Sequence, residues 1–150
     1  MNYRNIGRSF SILHRRSQLF VTAACERLRL SYLEYVMLLQ ILSSEGLSQE
    51  ELVSALCLDK AVVTRTIALL EEKEMAYRER DVKDRRMNRI YPTAKAKAER
   101  DNLEGILAHW IEYLQQDMDP RVAEAVSGGF LLAAERASKA NIPELVRQIL

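Results

Sequence analysis

Residues 81–93 read DVKDRRMNRIYPT and gather Lys83, Arg85, Arg86 and Arg89 beside Asp81 and Asp84. Cationic side chains at that density bind anions, and three uses compete: a solvated charged loop, an anion clamp, or a finger reaching for nucleic acid. A second group lies upstream in LDKAVVTR, where Lys60, Thr64 and Arg65 fall within two turns of a prospective helix. A bidentate Arg65 suits guanine, Thr64 suits a phosphate or a base, and Ala61 and Val62 suit thymine methyl groups. Chemistry of other kinds has little to work with. His14 and His109 are far apart, and no His-x-x-x-His, Cys-x-x-Cys, glycine-rich phosphate loop or nucleophile elbow occurs. No metal, cofactor or enzymatic activity is expected.

The elements that must hold these groups are legible from caps and apolar spacing. Asn2 to Leu28 is helical in pattern, with Ile6, Phe10 and Leu13 on one face. Ser31-Tyr32-Leu33-Glu34 and Ser48-Gln49-Glu50-Glu51 are both capping boxes. The first opens a helix bearing Leu33, Val36, Met37, Ile41 and Leu42; the second opens a short helix bearing Leu52 and Leu56. Asp59 can cap a third, which buries Val63, Ile67 and Leu70, turns Lys60, Ala61, Val62, Thr64, Arg65 and Ala68 outward, and ends near Glu74. Two short capped helices in succession form a helix-turn-helix, whose second helix can enter a major groove. Ala76 to Tyr91 loses the helical stripe, and Tyr77, Ile90 and Tyr91 flank its charged centre, which predicts a two-stranded hairpin. Hairpin after helix-turn-helix is a winged helix. Thr93 then caps one long helix to about Met118, roughly 39 Å at 1.5 Å per residue. Helices over about Arg121–Lys139 and from Pro143 complete the chain, the last carrying Leu145, Val146, Ile149 and Leu150.

Composition bounds the setting. The chain has 150 residues, of which 48% are hydrophobic, enough for one folded domain. No apolar run approaches the ~20 residues of a membrane span, and Arg15-Arg16 interrupts the N-terminal apolar residues as no signal peptide would. A cytoplasmic protein with reduced Cys25 and Cys57 is therefore expected, with Cys57 in the core. A net charge of +1 conceals an asymmetry: Ala76 to Lys97 holds eight basic and three acidic residues, a net of +5, and the remainder is at −4. Concentrated positive charge attracts polyanions. Apolar helices at both ends of the chain need a partner surface, for which a homodimer is the simplest answer.

The stretch LDKAVVTRTIALLEEKEMAYRERDVKDRRMNRIYPT resembles the heart of the MarR family of winged-helix transcription regulators. Asp59-Lys60, Val63-Thr64-Arg65 and Leu70-Glu71 match its recognition helix, Arg78 its wing-strand arginine, Asp84-Arg85-Arg86 its wing tip and Thr93 the next helix start. The resemblance implies a mainly α fold with a small β-hairpin wing. It divides the chain into dimerisation helices at 1–30 and 119–150, a winged helix-turn-helix at 31–92 and a linking helix at 93–118. It also implies a homodimeric repressor on a pseudo-palindromic duplex, with DNA contacts from Lys60, Ala61, Val62, Thr64, Arg65, Arg80, Lys83, Arg85 and Arg86. By the family's mechanism Arg86 enters the minor groove while Asp84 holds the wing arginines. Tyr32, Tyr35, Trp110 and Tyr113 are the implied lining of a pocket for a small aromatic or lipophilic effector, and Cys25, near Arg27 and Arg29, an implied oxidant sensor. Four positions depart from the family: Glu74 replaces the glycine that ends the recognition helix, which predicts a less sharp exit, Pro92 stands for leucine, and Ala61 and Val62 for small polar residues. The competing reading is a winged helix used for protein interaction without DNA.

Overall fold

The computed structural model describes residues 2–150 and separates into two compact units, one ending at Ile111 and the other spanning Glu112–Leu150. In the first unit, helix α1 (Tyr3–Ala24) is followed by a 3-10 turn (Glu26–Leu28), α2 (Tyr32–Ser43), β1 (Leu47–Ser48), α3 (Gln49–Leu56), α4 (Lys60–Glu72), β2 (Ala76–Arg80), β3 (Asn88–Pro92), α5 (Ala94–Ala98) and most of α6 (Arg100–Gln115). The second holds the end of α6, α7 (Pro120–Ser138) and α8 (Ile142–Arg147).

Both capping boxes form. Ser31 accepts from the Glu34 amide while Glu34 accepts from the Ser31 amide at 2.7 Å, and Ser48 and Glu51 repeat the exchange, with the return bond at 2.6 Å. Asp59 stands at the N-cap of α4, but its side chain makes no capping bond; the helix starts on the Asp59 carbonyl, which accepts from Val63. Inside, Leu38 and Ile41 of α2, Leu52 of α3, Val63, Ile67 and Leu70 of α4, and Ile90 of β3 are completely buried. Each such side chain contributes about 1.5–3 kcal/mol, so the two helices of the turn are held on one core with the wing's inner strand.

Four expectations are corrected here. The wing is a three-stranded antiparallel sheet in the order β1-β3-β2, because Leu47 and Ser48 pair with Ile90 and Arg89. Gly46 makes that approach possible: it has φ +80°, donates its N–H to the Ile90 carbonyl, and would bring a Cβ to 3.1 Å from the Tyr91 ring. The first helix stops at Ala24 and tightens into the 3-10 turn, with Arg29 left-handed at φ 54°. The long helix after Thr93 is two helices, since the Glu99 amide is shared between the carbonyls of Lys95 and Ala96 and its carboxylate is drawn to Arg27 at 2.6 Å. And Glu74 does not blunt the exit of α4. It takes φ 57°, the Met75 amide donates to the Leu70 carbonyl and the Glu74 amide to Glu71, a Schellman turn completed without glycine. The Thr93 hydroxyl donates to the Glu74 carbonyl at 2.7 Å, holding that strained residue in place.

In the second unit Asp119 caps α7 by accepting from the Arg121 amide, Pro120 occupies the first turn, and Gly128-Gly129 does not interrupt the helix. Gln115 donates to the Ser127 hydroxyl at 2.8 Å. No residue of α7 or α8 is buried, although Val122, Val126, Phe130, Leu131, Leu132, Leu145 and Val146 are apolar and exposed.

Candidate nucleic-acid interface

Helix α4 presents one face to the core and the other to solvent, as its apolar spacing requires. Lys60, Ala61, Thr64 and Arg65 are exposed and Val62 half-exposed, so all five expected contact residues lie outward. Their freedom differs. Lys60 faces Glu50 at 3.5 Å with both side chains largely exposed, a pairing worth little. The Thr64 hydroxyl donates to the Lys60 carbonyl and accepts from Gln49, which ties the first turn of α4 to the start of α3 and leaves Thr64 without a spare donor. Arg65 has no hydrogen-bond or ion-pair partner among the described residues.

The basic segment after α4 divides more sharply. Four of its eight cations face carboxylates: Arg78 faces Glu71 at 3.3 Å, Arg89 Asp81 at 2.6 Å, Lys97 Glu45 at 2.8 Å and, loosely, Lys95 Glu74 at 4.0 Å. The other four, Arg80, Lys83, Arg85 and Arg86, are exposed on the end of the hairpin and have no partner among the described residues. Positive charge thus meets carboxylates away from the wing tip and is left bare at the tip.

The tip owes its shape to two aspartates in different roles. Asp81 Oδ1 accepts from the amides of Lys83 (2.7 Å) and Asp84 (2.9 Å), while Oδ2 accepts from Arg89 Nε. These bonds hold the Asp81 carboxyl down at about 2, the Asp84 amide contributing most, then Arg89. Arg89 also donates to the Gly46 carbonyl at 3.0 Å and reaches Glu51 at 3.3 Å, so it fastens the wing to the start of α3. The expectation that Asp84 holds the wing arginines needs correcting: Asp84 accepts from the Arg86 backbone amide at 3.0 Å and grips no guanidinium. It orients Arg86 through the main chain, and the aspartate that holds an arginine is Asp81. Sequence reasoning missed the pair Asp81–Arg89 as a structural unit. The available signal was an aspartate placed two and three residues before amides it can cap, a turn-forming habit of that side chain.

A cavity of about 450 Å³ opens elsewhere in the first unit, among α1, α2 and α6. Tyr32, Tyr35 and Trp110 line it, as expected; Tyr113 does not, being 57% exposed in the second unit. The Tyr35 hydroxyl donates to the Leu103 carbonyl at 2.8 Å and is pushed up to about 12, chiefly by burial. Trp110 stacks on Phe20 with ring centres 4.9 Å apart and donates its indole N–H to Ser17.

Of the two cysteines, Cys57 departs from its expected place in the core, and Cys25 is buried rather than poised as a sensor. Cys57 is exposed, left-handed at φ 51° in the turn that ends α3, where a side chain at the C-cap leaves the core. Cys25 is 1% exposed; burial pushes its thiol up, and the nearby Arg27 is engaged by Glu99 at 2.6 Å. Nothing here favours the thiolate that an oxidant sensor needs. Among the described residues no cluster of three or more metal-ligating side chains occurs, and no helix is long and apolar enough to cross a membrane.

Comparison with known proteins agrees with this architecture. Residues 30–87, the segment from the start of α2 through the wing tip, match the model of the MarR family. The chain is similar to a MarR transcriptional regulator from Methanosarcina mazei Go1, with 27% identity, coverage of 91% of this chain and 98% of that one, and a TM-score of 0.85. The fold is shared with the transcriptional regulator SlyA (21% identity, 89% and 94% covered, TM-score 0.84) and with a MarR protein from Peptoclostridium difficile (21%, 89% and 88%, 0.84). No curated protein sequence matches the chain. The family model thus falls on the helix-turn-helix and wing, and the fold of a MarR transcriptional regulator runs through nine-tenths of this chain: residues 30–87 carry a MarR-family domain within a winged helix-turn-helix fold.

Proposed function

We propose that the protein is a ligand-responsive repressor that binds double-stranded DNA as a homodimer. The observation that carries this reading is the division of charge in the basic segment: Arg78 and Arg89 on the wing strands and Lys95 and Lys97 on α5 face carboxylates, and Arg80, Lys83, Arg85 and Arg86 are left bare at the wing tip. A narrow minor groove, with its negative potential, is the partner that such a tip fits. Helix α4 would lie in the adjacent major groove with Arg65 at a base edge and Lys60 at a phosphate. In a two-fold dimer the paired helices would meet half-sites about 34–36 Å apart. Residues 1–30 and 119–150 would supply the dimer contacts, 31–92 the reading head and 93–118 the link between them. Family members are non-enzymatic transcription factors, and no catalytic residue is assigned.

Selection of bound duplexes from a randomised pool tests the reading. The expected product is a pseudo-palindrome with half-sites one helical turn apart. The same selection with Arg65→Ala should lose preference at one position of each half-site, whereas Lys60→Ala should weaken all sequences alike. Failure to enrich any sequence would favour a winged helix that serves protein contacts alone.

A further inference from the structure

The chemistry of the cavity in the first unit indicates the kind of molecule it would hold. Twelve residues line it, and Glu104 is the only charged one among them; lysine, arginine and histidine are absent from its wall. The rest of the wall is mostly apolar or aromatic, with Leu39 and Leu107 alongside Tyr32, Tyr35 and Trp110, and carries only the neutral polar groups of Ser17, Gln40 and Ser43. Two of its polar hydrogens are committed inside the protein, the Trp110 indole N–H to Ser17 and the Tyr35 hydroxyl to the Leu103 carbonyl. The Tyr32 hydroxyl and the Gln40 amide remain, and both can accept as well as donate. Glu104 does have a neighbour, Arg100, but at 3.9 Å along the helix, an i,i+4 contact worth only a few tenths of a kcal/mol. Arg100 lies outside the wall and also donates to the Leu42 carbonyl at 2.6 Å.

An anionic ligand would therefore find no counter-charge here and would face a carboxylate. A cation with an apolar body would find an acid and three aromatic side chains in the wall. We infer that this cavity binds an aromatic or lipophilic organic cation, such as a protonated amine or a quaternary centre, with Glu104 as its counter-ion. This rests on the reading of the cavity as the effector site and assigns the charge of the effector.

Trp110 is the only tryptophan of the chain and lies in the cavity wall, so its fluorescence reports occupancy directly. The full-length protein is titrated with tetraphenylphosphonium and with tetraphenylborate, ions of nearly the same size and shape and opposite charge. The phosphonium should quench Trp110 and bind about tenfold tighter than the borate, and Glu104→Gln should abolish most of that difference. Each ion is then tested for release of the selected duplex. Borate binding equal to or tighter than phosphonium binding, with release of the duplex, would overturn the cationic assignment while leaving an effector site. If neither ion quenches Trp110 nor releases the duplex, the effector reading falls with it. A phosphonium preference that survives Glu104→Gln unchanged would remove Glu104 as the counter-ion and sink the proposal.

Discussion

Arg86 and Asp81 illustrate how one short loop separates binding from architecture. Arg86 is exposed and its side chain makes no hydrogen bond or ion pair among the described residues, so Arg86→Ala should leave the unfolding midpoint where it is. Duplex affinity should nevertheless fall by about 1–3 kcal/mol and the slope of log K against log salt should become shallower. A variant that binds the selected duplex as tightly as the parent at matched salt would refute the wing reading. Asp81 carries the opposite kind of role. Its folded carboxyl is held down at about 2, below the unfolded value of about 3.9. A depressed carboxyl contributes stability that is complete above the unfolded value and lost as pH falls through the folded one. The wing tip should accordingly keep its order down to about pH 4 and loosen between there and about pH 2. Carboxyl NMR shifts of Asp81 followed against pH check this, and a midpoint near 4 would mean that the Arg89 and amide bonds do not persist in solution.

At the scale of elements, the recognition helix is fixed at both ends by contacts that sequence spacing does not show. Its start is tied to α3 by Gln49 and Thr64. Its end is tied to α2 by Lys73, which donates to the Arg29 carbonyl at 2.6 Å and pairs with Glu34. Glu34 is 2% exposed; burial alone would raise its carboxyl, but the bonds from Lys73 and Ser31 outweigh it and hold the group below the ordinary range. Lys73→Met removes the partner of a buried carboxylate and should cost about 1–3 kcal/mol in urea unfolding. Adding Glu34→Gln should cost less than it does alone, because a glutamine can still close the capping box with nothing left unpaired in charge. Strictly additive losses would show that the two groups are not coupled. Since α2 also lines the cavity through Tyr32, Tyr35 and Leu39, this pair links the helix that bears part of the cavity wall to the helix proposed to read DNA.

At the scale of the whole molecule, many of the exposed apolar residues lie towards the two chain ends. Tyr3 and Phe10 of α1 are exposed in the first unit, and Phe130, Leu131, Leu145, Ile149 and Leu150 in the second. A chain truncated after Asn141 loses the last three of these together with Val146. It should form a weaker dimer, seen by light scattering as dissociation at concentrations where the parent remains paired, with a melting temperature that depends more steeply on concentration. An unchanged dimer would exclude the terminal segment from the interface.

What the sequence determined by itself was whatever depends on neighbours along the chain. Capping boxes at Ser31 and Ser48, the inward positions Val63, Ile67 and Leu70, the hairpin and its basic tip could all be read, because each is set by contacts a few residues apart. Tertiary structure decided the rest. The strand Leu47–Ser48 exists only because Ile90 and Arg89 come to lie beside it, and nothing in two residues announces that. Glu74 could replace glycine because Thr93, distant in sequence, accommodates its carbonyl. Cys57 left the core because the turn carried it outward, and Glu99 split a helix while paired to Arg27 across the fold. The same holds for the charges on which the proposed function rests. Formal charge is a property of residues, but its cancellation depends on separation in space. Only the folded chain could bring Glu71 to Arg78 and Glu45 to Lys97 while leaving Arg80, Lys83, Arg85 and Arg86 uncompensated.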